Sequence, residues 1–189
     1  MHLLLASKSP RRRELLSQLG FPVDYVNADV AETVSPDIPP HQVAAYLAQL
    51  KADGCRVTLH DGDVLVTADT VVVHNGVVLG KPHSRDEAVE ILRSLSGDKH
   101  TVYTGMCLVT KERKTVFTEE STVFFRQLDD ETIIHYVNQG TCMDKAGAYG
   151  IQEWIGMVGV ERIEGCYYNV MGLPLSRLYS ELRQLMKKS

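Results

Sequence analysis

The chain has 189 residues, of which 44% are hydrophobic and 23% are charged, and its formal net charge is −4. This length and composition fit one ordinary globular domain over residues 1–189, and the acidic balance argues against nucleic-acid binding, which needs a broad basic face. The four cysteines have no zinc or CxxC spacing and the apolar start is too short for a signal peptide or a membrane span, so we expect a cytoplasmic protein with reduced thiols and no membrane partner.

The first half of the chain predicts strands and helices in alternation. Ser9 before Pro10 predicts the beginning of the first helix, and Gly20 with Pro22 predicts its end. The elements expected here are strands over 3–6 and 23–28, a helix over 41–57, a strand over 63–73, a hairpin turn at 74–76, a strand over 77–79, and a helix opened by a capping box at 84–87.

The second half predicts a pair of long strands followed by helices. We expect strands over 100–110 and 115–126 with a turn at 111–114, a helix over 129–138, a glycine-bearing loop, a strand near 157–163, and a strand end at 169–174 leading into a last helix over 174–186. Because hairpins occur among the alternating elements, the pattern predicts a mixed α/β sheet and not a doubly wound parallel one.

Three consecutive arginines, Arg11 to Arg13, occupy the first turn of the first predicted helix. The helix dipole disfavours each cation there by about 0.3–1 kcal/mol. The turn is either a solvated basic face or an anion site, in which the helix N-terminus and the guanidinium groups meet a phosphate together. A guanidinium–phosphate pair near a surface gains about 4 kcal/mol at an effective dielectric constant of about 20, which exceeds the dipole cost. The cluster therefore favours a polyphosphate site.

Two carboxylates follow or interrupt predicted strands. Asp69 lies within the apolar run "VLVTADTVVV", where it either bonds to a neighbouring turn or lies at a cleft and binds a hard cation or activates water. Glu32 follows the second predicted strand and could supply a second carboxylate. Two such groups suit Mg²⁺ beside substrate phosphates, because Mg²⁺ keeps several waters. The spacing leaves open whether the two carboxylates meet.

Two lysines and one glycine-containing segment are further candidates. Lys81 is held in the rigid "LGKP" turn, which favours a phosphate contact, whereas Lys51 on an apolar helix face could equally snorkel to solvent. In "DKAGAYGIQ", residues 144–152, the glycines allow close approach of a ligand, and Tyr149 and Gln152 could stack on and hydrogen-bond to a base. An ordinary loop explains the local chemistry of this segment as well.

Six segments, in order and spanning nearly the whole chain, closely resemble the Maf family of nucleoside triphosphate pyrophosphatases. They are "LASKSPRRRELL", "ADTVV", "LGKP", "LSGDKHTVYTG", "MDKAGAYGIQ" and "NVMGLPL". The resemblance implies an elongated mixed sheet flanked by helices, with two lobes around a cleft as in the inosine triphosphate pyrophosphatases. It also implies that the protein forms a homodimer.

The same resemblance implies a reaction and a set of site residues. Water attacks the α-phosphorus of a nucleoside triphosphate, giving the monophosphate and pyrophosphate, and a divalent cation, Mg²⁺ or Mn²⁺, is required. Asp69 matches the catalytic carboxylate, as water-activating group or metal ligand, and Glu32 matches an acidic position linked to the metal. The matches to phosphate-binding positions are Ser7, Arg11, Arg12, Lys51 and Lys81, and those to base-selecting positions are Arg11, Thr70 and Gln152.

The base preference depends on the last two segments. They look like the branch that acts on dTTP and UTP, and not like the branch that prefers 7-methyl-GTP. Glu153 stands where the family pattern leads us to expect glycine, and Cys166 stands where serine or aspartate is more usual. Two alternatives stay open: a nucleotide-binding regulator of septum formation without turnover, and a pyrophosphatase for another base, such as that of 7-methyl-GTP.

Overall fold

A computed structural model describes residues 1–188. Its strands are β1 (His2–Ala6), β2 (Val23–Val26), β3 (Asp63–His74), β4 (Val77–Leu79), β5 (Lys99–Val109), β6 (Lys114–Phe125) and β7 (Val160–Gly165). Its α-helices are α1 (Pro10–Ser17), α2 (Pro40–Asp53), α3 (Arg85–Leu95), α4 (Asp130–Asn138), α5 (Trp154–Gly159), α6 (Tyr167–Met171) and α7 (Leu175–Lys188), and a 3₁₀ turn spans Ala146–Ala148. None of the described helices has the length and apolar character needed to cross a membrane.

The described strands form one mixed sheet, as the sequence predicted. Their order is β2-β1-β3-β5-β6-β7, with β4 paired to β3 outside this path. Strand β1 runs parallel to β2 and to β3, whereas β4 is antiparallel to β3 and β7 is antiparallel to β6. The predicted hairpin turn is confirmed, since Asn75 and Gly76 have φ values of 49° and 78°, which such turns need.

The chain divides into two compact units. The first contains residues 1–69, 104–119 and the chain from Gly172 onward, and the second contains residues 70–103 and 120–171. Strands β3, β5 and β6 contribute residues to both units. Whether residues 1–189 behave as a single domain stays a prediction.

In the first unit, helix α2 packs directly on the sheet. A Cβ atom on Gly105 of β5 would lie 2.2 Å from the backbone of Ala44 in α2, so only glycine allows this approach. Thr67 of β3 is fully buried, and its hydroxyl donates a hydrogen bond of 2.6 Å to the carbonyl of Ala48. These two contacts fix the position of α2 along β3.

The second unit has its own apolar core, in which α3 and α4 pack together. An aromatic group lies within it, because the rings of His100, Phe125 and Tyr149 meet edge to face at 5.0–5.3 Å. His100 Nε2 also lies 2.7 Å from the Tyr149 hydroxyl. Burial lowers the pKa of His100 to about 4, so this imidazole is neutral in the folded protein near neutral pH.

Three predicted elements differ from the structure. Helix α2 ends at Asp53 and not at residue 57, because Gly54 caps it. The strand expected near 157–163 was wrong in its first part: α5 continues to Gly159, since the Gly156 and Met157 amides donate to the carbonyl of Glu153. The strand end expected at 169–174 was also wrong. The Asn169 and Val170 amides donate to the carbonyl of Cys166 and begin α6.

Candidate active site

Strand β3 and helix α2 bring Asp69 and Lys51 together. Lys51 lies in the last turn of α2, three residues after Ala48, and Asp69 lies two residues after Thr67 on the same face of β3. The Thr67–Ala48 hydrogen bond therefore places the two side chains opposite each other. Lys51 Nζ donates a hydrogen bond to Asp69 Oδ1, and both side chains are mostly buried. Lys51 does not simply snorkel to solvent.

Glu32 contacts the same ammonium group. Its Oε1 atom lies 3.2 Å from Lys51 Nζ, and its side chain is about half exposed, at 51%. The two carboxylates whose meeting the sequence left open thus converge on one cation. This arrangement can neutralise the negative charges locally while keeping one carboxylate in reach of solvent and ligand.

The three arginines of α1 occupy different environments. Arg12 Nε donates a hydrogen bond of 2.8 Å to the carbonyl of Gly172. Burial lowers the pKa of Arg12, while the nearby charges of Asp69 and Glu32 raise it and that of Arg11 lowers it. Arg11 and Arg12 therefore belong to the same charged group as the two carboxylates.

Arg13 has a structural role that explains part of the arginine cluster. Its Nε donates to the carbonyl of Ser7 at 3.1 Å, and its guanidinium lies 4.7 Å from the centre of the Tyr25 ring. The Ser7 hydroxyl accepts a hydrogen bond of 3.1 Å from the amide of Ser9, which is the N-cap residue of α1, as predicted. Ser7 and Arg13 together hold the turn that presents Arg11 and Arg12.

The other three predicted site residues lie in the second unit. Thr70 is half-buried in β3, Lys81 is exposed just after β4, and Gln152 is half-buried between Ile151 and Glu153. The carbonyl of Gly80 accepts a hydrogen bond of 3.1 Å from Gly147, so the Lys81 turn is tied to the 3₁₀ turn. Six of the predicted residues thus share the first unit, and these three share the second.

Lys145, in the segment "MDKAGAYGIQ", was not among the predicted site residues. Its side chain is only 6% exposed, and its ammonium contacts the carboxylates of Asp144 at 2.7 Å and Glu153 at 2.8 Å. It also donates to the carbonyl of Thr141. The departure at Glu153 was the signal in the sequence that pointed here, because a carboxylate in place of glycine needs a partner.

The first-unit carboxylates fit a hard divalent cation. Glu32 and Asp69 offer only oxygen donors, which Mg²⁺ and Mn²⁺ prefer. Within residues 1–188, no group of three or more His, Cys, Asp or Glu side chains could hold a metal ion. A two-carboxylate set still suits Mg²⁺, which keeps several waters and takes oxygens from substrate phosphates.

Comparison with known proteins finds similarity over almost the entire chain. The family model described as Maf-like protein matches residues 2–185. The dTTP/UTP pyrophosphatase of Bacteroides thetaiotaomicron is 50% identical over 97% of this chain and 95% of its own. The proteins with the same name from Bacteroides fragilis and Caldicellulosiruptor saccharolyticus are 48% and 42% identical, over 97% and 96% of this chain and 95% and 94% of theirs.

Among solved structures, the Staphylococcus aureus Ham1 protein aligns with 66% of this chain and 72% of its own. The identity is 13% and the TM-score is 0.47.

Proposed function

The chain belongs to the Maf family, and we propose that it is a nucleoside triphosphate pyrophosphatase that hydrolyses dTTP and UTP. Relatives that carry this activity in their names match it at up to 50% identity with nearly full coverage. The observation that carries the proposal on the structural side is the convergence of Asp69 and Glu32 on Lys51, close to Arg12.

The cations would bind the triphosphate. Arg11, Arg12 and Lys51 lie together in the first unit, and Lys81 is an exposed cation in the second. Fixed guanidinium and ammonium groups stabilise the negative charge that grows on a departing pyrophosphate, without having to reorganise during the reaction. This accounts for an α1 turn whose arginines oppose the helix dipole.

Asp69 would be the catalytic carboxylate. A water oxygen bonds to the α-phosphorus, the bond from that phosphorus to the bridging oxygen of the β-phosphate breaks, and the products are the nucleoside monophosphate and pyrophosphate. Asp69 either accepts the proton that this water loses or holds the metal. Lys51, which already contacts Asp69, orients that carboxylate.

A divalent cation would be held by Glu32 and Asp69, and it would neutralise phosphate charge when bound. Gln152, Thr70 and Arg11 are the proposed base-selecting residues. We also propose a homodimer, as the resemblance implies, and a cytoplasmic location. The four free cysteines among the described residues, Cys55, Cys107, Cys142 and Cys166, support a reducing compartment.

The test is pyrophosphate release by the purified protein with Mg²⁺ or Mn²⁺. The substrates are dTTP, UTP, CTP, the purine triphosphates and 7-methyl-GTP, and Asp69→Asn is the inactive variant. Asp61→Asn is the matched control, because that aspartate is in the same unit and its side chain is 91% exposed. Release from dTTP and UTP that disappears only in Asp69→Asn supports the proposal.

Other results lead to different conclusions. Activity confined to another base would keep the reaction and overturn the proposed base preference. Tight nucleotide binding without release from any substrate would replace the enzyme by a nucleotide-binding regulator.

A further inference from the structure

A polar cluster built around the buried side chains of Tyr136 and Lys145 holds the segment that carries Gln152. We define the Glu153 cluster as Glu153, Lys145, Tyr136 and Thr141. We infer that this cluster is a positioning device, which fixes the backbone around Gln152 and thereby sets the affinity for the pyrimidine base. The inference rests on the proposed function and on the base-selecting role of Gln152 given there.

The Glu153 carboxylate accepts hydrogen bonds from three donors. Lys145 Nζ lies 2.8 Å from Oε1, and Thr141 Oγ1 donates to Oε2 at 3.0 Å. The Tyr136 hydroxyl also donates to Oε2. Burial, followed by the hydrogen bond to Glu153, raises the pKa of Tyr136, so this hydroxyl keeps its proton and remains a donor. A carboxylate with three donors holds its neighbours in one geometry.

The cluster makes hydrogen bonds to the chain on both sides of Gln152. The amide of Gly150, two residues before Gln152, donates a hydrogen bond of 3.1 Å to the Tyr136 hydroxyl. On the other side, Glu153 itself is anchored through its side chain. Because Tyr136 is fully buried in α4, this hydrogen bond attaches the segment to the packed core. Gln152 is therefore bracketed by two fixed points.

Packing at Gly150 shows how closely the cluster lies against this segment. A Cβ atom on Gly150 would come within 2.8 Å of Glu153 Cδ and 2.9 Å of Lys145 Cε. Such contacts are shorter than real Cβ atoms make, so a larger residue would push the cluster aside. The glycines of this segment were predicted to allow close approach of a ligand. In the structure, Gly150 leaves space for the side chains of Glu153 and Lys145.

The ammonium group of Lys145 donates all its hydrogen bonds within the protein, so it has none left for a phosphate. An ammonium group has three donors, and Lys145 uses them on Glu153, Asp144 and the carbonyl of Thr141. Its 6% exposure adds to this conclusion. Glu153, the residue that departs from the family pattern, is thus the partner that keeps a buried lysine satisfied beside the base-selecting glutamine.

A positioning role makes a specific kinetic prediction. Loosening the backbone at Gln152 weakens contacts to the base, which lies far from the reacting phosphorus. Glu153→Gln and Tyr136→Phe are therefore expected to raise KM for dTTP and UTP by about tenfold while kcat changes by no more than about twofold. The preference for dTTP over CTP falls as well, because discrimination by hydrogen bonds needs aligned partners.

The deciding experiment is a double-mutant cycle with Gln152→Ala. If the cluster acts through Gln152, Glu153→Gln raises KM about tenfold in the wild-type background and less than about twofold in the Gln152→Ala background. The control variant is Glu161→Gln, which alters an exposed glutamate of the same unit and leaves KM unchanged. Tyr136→Phe, for which the same rise in KM is expected, takes the place of Glu153→Gln should that variant fail to fold, and the thermal midpoint is measured for each variant.

The outcomes separate this inference from the function on which it rests. Equal KM effects in both backgrounds, or a fall in kcat alone, would overturn the positioning role while the enzyme stands. A wild-type protein that releases no pyrophosphate from any nucleotide would defeat the proposed function, and the inference with it.

Discussion

Two lysines of this protein are each shared by two carboxylates, and they serve different ends. Lys51 contacts Asp69 and Glu32 in the first unit, and Lys145 contacts Asp144 and Glu153 in the second. Lys145 is more deeply buried and also donates to a backbone carbonyl, while its partner Glu153 accepts from two hydroxyls. The triad of the second unit thus has further neutral hydrogen-bond partners, whereas the triad of the first unit lies among the residues that we propose to bind the triphosphate.

The difference teaches how to separate a working charge cluster from a structural one. Burial and partner count distinguish the two lysines better than their charge does, because a saturated ammonium has nothing left for a substrate. The Lys51 cluster also has Arg12 beside it, which adds positive charge where a phosphate would bind. Substitutions at or near each of the two lysines test this distinction.

The largest effect is expected from Lys51→Met. It removes the cation that holds Asp69 and would contact the triphosphate, so kcat/KM for dTTP falls by about 10²–10³. The free energy of unfolding falls as well, by about 2 kcal/mol, because the mostly buried Asp69 loses its partner while Arg12 remains near the carboxylates. Initial rates and urea unfolding measure the two quantities. A stable variant with wild-type rates would remove Lys51 from the site.

Lys145→Met is expected to show the opposite pattern. It leaves Glu153 with no cation at a site where the lysine side chain is 6% exposed, so the free energy of unfolding falls by about 3 kcal/mol. At a temperature where the variant is folded, kcat for dTTP should change little, since the Lys145 ammonium is already engaged by Asp144, Glu153 and the carbonyl of Thr141. A large loss of kcat with unchanged stability would show that the two lysines have the same role.

Acid titration tests the apolar core of the second unit, which contains Tyr136 of the Glu153 cluster. The pKa of His100 is about 4 in the folded protein and 6.5 when unperturbed, so the unfolded chain takes up the proton first. The contribution of neutral His100 to the free energy of unfolding is therefore present above pH 6.5 and is lost as the pH falls towards 4. This contribution is at most about 3 kcal/mol.

His100→Gln isolates this contribution, because glutamine can still hydrogen-bond to the Tyr149 hydroxyl. Urea unfolding at pH 7 and pH 5 should show a loss of about 2 kcal/mol in the wild-type protein and a smaller loss in the variant. Equal losses in both proteins would assign the pH dependence to other groups.

Local chemistry made much of the fold predictable. The turn at Asn75 and Gly76 and the cap at Ser84 follow from residues whose backbone or side-chain preferences act within a few positions, and both are confirmed. The helical course of residues 157–159 and 167–171 was missed. It depends on the carbonyls of Glu153 and Cys166 accepting from the amides three and four residues later, which hydrophobic periodicity does not reveal.

The candidate site was predictable in its residues and not in its construction. The motifs pointed to Asp69, Glu32 and Lys51, but their convergence depends on how α2 lies on the sheet. That position is set by the missing side chain of Gly105 and the buried hydroxyl of Thr67, which are tertiary contacts between distant parts of the chain. A polar residue inside an apolar strand run was the only local sign of the second contact.

The smallest effect is expected from Thr67→Val, which tests whether the position of α2 sets the contact between Lys51 and Asp69. Valine keeps the shape of the fully buried side chain but removes the donor that ties β3 to the carbonyl of Ala48. The unfolding free energy should fall by about 1 kcal/mol. The value of kcat/KM should fall about threefold to tenfold, because Lys51, one helical turn further on, loses its fixed position relative to Asp69.

Two further variants decide what that result means. Thr67→Ser restores the hydroxyl and should restore activity, while Thr58→Val changes an exposed threonine of the same unit and should leave activity unchanged. In the second unit, Lys145 and its two carboxylates lie within ten residues of each other, and the Tyr136 hydroxyl ties Glu153 to α4. If Thr67→Val lowers stability without lowering kcat/KM, the Lys51–Asp69 contact forms without help from the helix position.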